Sequence, residues 1–138
     1  MSRRLARDLA FKALFQVDVG KCSTIRAIAS IVERGRLNAD EKELASELVT
    51  GTVEQLKILD PMIEKHLVKW ELNRLSAVDR NLLRLAAYEI IYRSDIPHAV
   101  SINEALELAK KYGSTVESIS FINGVLDNIL GELLGSEA

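Results

Sequence analysis

The sequence predicts an all-α protein, and three observations carry that reading. Apolar residues recur at helical spacing along almost the whole length. β-branched residues never gather into an alternating run. The only two prolines, Pro61 and Pro97, leave room for long helices. At 138 residues, 48% apolar and 28% charged, the chain fits a single domain, residues 1–138, with a substantial core.

The first helix is expected from Arg3 to about Val19, ending near Gly20. At 100° per residue, Leu5, Ala6, Leu9, Ala10, Ala13, Leu14 and Val17 form one core stripe. Phe11 and Phe15 fall outside it, and either meet a second layer or face a partner. Ser23 or Thr24 caps a second helix, in which Ile25, Ile28, Ala29 and Val32 make the apolar pattern and Gly35 the stop. Asn38 and Glu41 have capping-box spacing. They open a third helix carrying Leu44, Ala45, Leu48, Val49, Val53 and Leu56. Asp60-Pro61 reads as a cap followed by proline at the first helical position of a short fourth helix, with Met62, Ile63, Leu67 and Trp70.

Leu75 to Tyr92 is apolar on nearly every side, which predicts the buried central helix. A loop from Asp95 to Val100 follows, with Ser101 and Glu104 as a second capping box. Ala105, Leu108, Ala109 and Tyr112 form the next stripe, Glu107 and Lys111 an i, i+4 pair, and Gly113 the stop. The last helix is expected from Thr115 to Leu134, with Ile122, Val125, Leu126, Ile129 and Leu133 inward. Asn123-Gly124 has the composition of a hairpin turn, but the helical period runs through it, so close approach of another backbone is the expected reason for the glycine.

The composition bounds the function. Net charge is -2, so nucleic-acid binding requires a local patch rather than a bulk field. Arg3, Arg4 and Arg7 supply one, at a helix start where cations oppose the dipole. All three lie outside the core stripe, and guanidinium groups suit phosphates. Lys110 and Lys111 are a second basic group at a helix end. Phe121 sits at the edge of the last helix's stripe, where a base could stack on it.

No catalytic constellation is legible. His66 and His98 have no nucleophile near them in sequence and read as surface histidines. Cys22 is the single cysteine and has no metal-ligand spacing, so neither a metal nor a cofactor is expected. With no signal peptide, no membrane-length apolar run and no cysteine pair, a cytoplasmic protein without a membrane role is expected, and not an enzyme.

Four segments carry a resemblance: RRLARDLAFKALFQVD from Arg3, LVTGTVEQLKILDPMI from Leu48, WELNRLSAVDRNLLRLAAYEIIYRSDIPHAVSINEALELAKKYG from Trp70, and FINGVLDNIL from Phe121. Their order and spacing are similar to those of the NusB family of bacterial transcription antitermination factors. The resemblance implies a NusB-like fold of two packed helical subdomains. It implies binding of boxA-type single-stranded RNA in nascent ribosomal RNA transcripts, together with NusE, a small-subunit ribosomal protein. It also implies that the pair joins the RNA polymerase elongation complex. Residue by residue, Arg3, Arg4 and Arg7 match the family's arginine-rich start and Phe121 an aromatic, both RNA contacts. Phe15 and Asp79 match an aromatic and an acidic residue of the NusE interface. Family members often carry a basic residue just before the phenylalanine; here it is Ser120. Two alternatives stand beside this reading. One is the NusB-like RNA-binding domain of a ribosomal RNA cytosine methyltransferase, against which stand the missing cofactor-binding sequence and a chain ending just past the last helix. The other is a protein-interaction domain without RNA binding.

Overall fold

A computed structural model describes residues 3–68 and 71–137. Among these there are seven α-helices, one short 3₁₀ turn and no strand. The chain divides into two compact units, Met1–Glu54 and Gln55–Ala138.

The first unit holds α1 (Arg3–Asp18), α2 (Thr24–Arg34) and α3 (Ala39–Glu54). α1 packs against both of the others. That double packing explains why it buries more than one stripe. Ala6, Leu9, Ala10, Ala13 and Leu14 are buried as expected, while Leu5 and Val17 are only half-buried. Phe11, expected off the core, is 2% exposed. Phe15 is half-buried, with its ring centroid 6.3 Å from that of Phe11.

Ser23 caps α2, its hydroxyl accepting from the Arg26 N–H at 3.2 Å. The buried face of α2 is Ala27 and Ile31; Ile25, expected inward, is 82% exposed. Apolar residues cover so much of this helix that periodicity alone does not choose its buried side. Close approach chooses it: Gly35 continues the Ala27–Ile31 face, and a Cβ there would overlap Leu9 Cδ1 and the Ile31 carbonyl oxygen. The Asn38–Glu41 capping box is present in both directions. Asn38 N–H donates to Glu41 Oε1 at 3.0 Å, and Glu41 N–H to Asn38 Oδ1 at 2.8 Å.

The second unit holds α4 (Leu56–Lys65), a 3₁₀ turn (Leu72–Arg74), α5 (Ala77–Tyr92), α6 (His98–Lys111) and α7 (Val116–Glu137). The helical run expected to reach Leu56 breaks at Gln55, whose φ and ψ are -101° and 10°. α4 therefore starts earlier than the Asp60-Pro61 pair suggested, and Pro61 lies inside it. Asp60 is not a cap, because its carboxylate is held by Arg84: Nε donates to Oδ1 and Nη2 to Oδ2, both at 2.9 Å. Trp70, expected on this helix, lies outside the described residues.

α5 is the buried centre, packed against α4, α6 and α7. Leu82, Leu83, Leu85, Ala86, Ala87, Tyr88 and Ile90 are all buried. So is Glu89, which explains the failure of the second expected capping box. Ser101 is not a cap but an interior residue of α6, which begins behind Pro97. Its hydroxyl donates to Glu89 Oε1 at 3.0 Å and satisfies a carboxylate that burial would otherwise penalise. α7 starts at a Thr115 cap, where Oγ1 accepts from Ser118 N–H at 3.0 Å. It continues through Asn123-Gly124 as expected. The expected close backbone is absent: nothing among the described residues lies within 4 Å of a Cβ built at Gly124.

Candidate nucleic-acid and protein interface

α1 carries four of the candidate residues in the first unit. Arg4 is exposed and Arg3 half-buried. Arg7 departs from the expectation of a position outside the core, at 3% exposed. Asp8 beside it is buried as well, so the packed surface of α1 reaches past the apolar stripe. Phosphate binding in this unit therefore falls to Arg3 and Arg4, while Arg7 serves packing. Phe15, half-buried one turn after the fully packed Phe11, keeps part of its ring at the surface.

In the second unit, Asp79 and Phe121 line one recess of about 590 Å³. The recess forms where the first turn of α5, the α6–α7 turn and the start of α7 converge. Ser76 caps α5, its hydroxyl accepting from Asp79 N–H at 3.1 Å. Asp79 thereby occupies the first turn, where the helix dipole favours a carboxylate. Gly113, with φ +84°, turns the chain from α6 towards α7, a conformation that suits glycine. Ser114 follows, and its hydroxyl donates to Asp79 Oδ1 at 2.8 Å. The Thr115 cap then starts α7, which delivers Phe121 to the recess wall.

Asp79 is 7% exposed, so it does not offer its charge on an open surface as the sequence suggested. A ligand must enter the recess to reach it. Leu75 and Val78 give the recess apolar surface, Arg74 a cation and Glu117 an anion. Lys110 and Lys111 end α6, both exposed. Glu107 pairs with Lys110 at 3.4 Å, one residue short of the expected partner. Lys111 places its Nζ 5.7 Å from the centroid of Tyr112, a recess residue.

Sequence reading missed Arg74, Tyr112 and Ser114 as site residues. The Ser76–Asp79 cap had a local signal in its i, i+3 spacing. The Ser114–Asp79 bond joins residues 35 apart and has none. The histidines also differ from expectation. His66 is half-buried and lies 2.8 Å from Glu132 through Nε2, while His98 opens α6 rather than sitting in a loop. No group of three or more metal-ligating side chains occurs among the described residues, and no helix there is long and apolar enough to cross a membrane.

The chain is similar to known proteins over most of its length. The NusB family model matches residues 4–131. The transcription antitermination protein NusB of Desulforamulus reducens is 47% identical over 94% of this chain and 90% of that protein. A solved structure of T. maritima NusB superposes with a TM-score of 0.89 at 42% identity, covering 96% of this chain and 92% of that one. A chain from a crystal structure of the antitermination factors NusB and NusE in complex with dsRNA superposes at 0.86, with 31% identity and coverage of 94% and 96%.

Proposed function

Because the chain belongs to the NusB family of transcription antitermination proteins, we propose that it binds boxA-type single-stranded RNA in nascent ribosomal RNA transcripts jointly with NusE. Through that pair it joins the elongating RNA polymerase in the bacterial cytoplasm. The carrying observation is the recess lined by Phe121, with Lys111 against its Tyr112 wall. An aromatic face beside cations is what an unstacked base and its phosphate require. A duplex keeps its bases stacked on each other, so this arrangement favours a single strand even though the similar solved complex contains dsRNA.

Arg3 and Arg4 bind phosphates from the first unit, and Phe15 is the anchor for NusE, large, apolar and only half-buried. The acidic chain holds RNA weakly by itself, with net charge -2 and its cations in small groups. A basic ribosomal protein extends the positive surface along the strand. RNA and NusE then tighten each other's binding by one shared factor, of about 5- to 150-fold. Calorimetric titrations of boxA-type RNA and of NusE, each with the other absent or saturating, measure both legs. If neither partner changes the affinity for the other, the shared surface is ruled out. Phe15→Ala is expected to weaken NusE binding with the domain still folded.

A further inference from the structure

We propose that the Asp79–Phe121 recess is a nucleobase pocket that selects guanine. This inference rests on the RNA reading above and adds base identity to it.

Among the recess residues, Asp79 carries the buried carboxylate, and it is held in one orientation. Its backbone N–H is bonded to Ser76 Oγ, and Ser114 donates to Oδ1. A carboxylate has about four lone-pair sites. Among the described residues, Ser114 supplies the one hydrogen bond to this carboxylate. At 7% exposure, the remaining acceptor capacity is poorly served by solvent and needs donors from whatever enters. Phe121 supplies a π face on the same recess, whose 590 Å³ readily admits one base.

The donor pattern of the bases then decides which one fits. Guanine presents two adjacent donors on its Watson–Crick edge, N1–H and the N2 amine, which match the two oxygens of a carboxylate. Adenine and cytosine place a ring-nitrogen acceptor beside their amine. Uracil places one N–H between two carbonyls. Each of these sets a lone pair against the charge of Asp79. Glu117, also at the recess, repels phosphate, so the base rather than the backbone enters. The backbone is left to Arg74, whose side chain is well exposed, and to Lys111 over Tyr112.

The test compares single-stranded uridine decamers carrying one central guanosine, inosine, adenosine or cytidine, and the all-uridine decamer, by fluorescence anisotropy with the full chain. The guanosine decamer is expected to bind about tenfold tighter than the inosine one, which lacks only the N2 amine. Asp79→Asn is expected to level that difference. The inosine comparison needs no protein variant, so the proposal remains testable if Asp79→Asn misfolds. Binding of all decamers with equal affinity overturns the guanine assignment and leaves the RNA reading standing. A guanosine preference that persists in folded Asp79→Asn overturns the role of Asp79. If the preference is absent and Asp79→Asn instead weakens NusE binding, the guanine assignment falls and the carboxylate serves a basic side chain of the protein partner. Failure of every decamer and of boxA-type RNA to bind overturns the RNA reading itself.

Discussion

Arg84 holds Asp60 through two parallel hydrogen bonds of 2.9 Å, joining the middle of α5 to the proline-containing stretch of α4. The Arg84 side chain is only 14% exposed and also donates to Asn81 Oδ1 at 3.3 Å. The pair spans 24 residues and replaces the helix cap that Asp60-Pro61 would form in isolation.

Replacing Arg84 with methionine leaves Asp60 without its fork. We expect the protein to be about 1–3 kcal/mol less stable in denaturant unfolding, the range for partly buried charge-assisted bonds. Arg84→Lys recovers only part of it, because an ammonium group cannot reproduce the two-pronged geometry. A variant as stable as the parent would mean that the pair is an exposed, screened interaction.

The three N-terminal arginines separate by burial. Arg3→Ala and Arg4→Ala should leave the melting temperature nearly unchanged. Each substitution that removes one bound phosphate should flatten the salt dependence of RNA binding by roughly 0.7 in log–log slope. Arg7→Ala should destabilise the fold by about 1–3 kcal/mol, since its side chain is packed. Thermal unfolding beside RNA titration at several salt concentrations distinguishes the two kinds of arginine.

Gly124 lies within α7 with open space around it. Gly124→Ala should therefore raise stability by about 0.5–1 kcal/mol, the conformational gain of alanine in a helix. Differential scanning calorimetry reads this directly. A decrease would show that the helix needs glycine there for a reason other than space.

Glu132 on α7 accepts a hydrogen bond from Lys65 and lies against His66 at the end of α4. The Lys65 bond first, and then that of His66, hold its carboxyl below the ordinary value of 4.5. A carboxyl lowered in the folded state adds stability above its unfolded value and loses it as pH falls through the folded one. The stability difference between the parent and Glu132→Gln should thus be full at neutral pH and shrink on acidification below about 4.5. A difference that stays constant from neutral pH into the acid range would mean that the carboxylate makes no net charge-dependent contribution.

Local chemistry made much of this protein legible from the chain alone. Ser23 and the Asn38–Glu41 box are short-range hydrogen bonds that the backbone can form as soon as a helix starts. The all-round apolar run of α5 required burial whatever surrounded it. The blocks around Arg3, Trp70 and Phe121 were sufficient to indicate the NusB family, and with it a set of candidate residues.

Tertiary packing decided the rest. Whether Ser101 caps α6 or lies inside it depended on a buried Glu89, a residue of α5 that needed a donor. Asp60 could have been a cap until Arg84 claimed its carboxylate. Arg7 and Phe11 are buried because α1 has two helical neighbours, and a helical wheel describes one helix without counting them. In the recess, Asp79 and Phe121 were each visible as single residues. Their meeting is a product of the turn at Gly113 and the Ser114 bond across 35 residues. Periodicity registers which residues share a face, while the number and distance of the neighbours on that face are set only when the chain closes on itself.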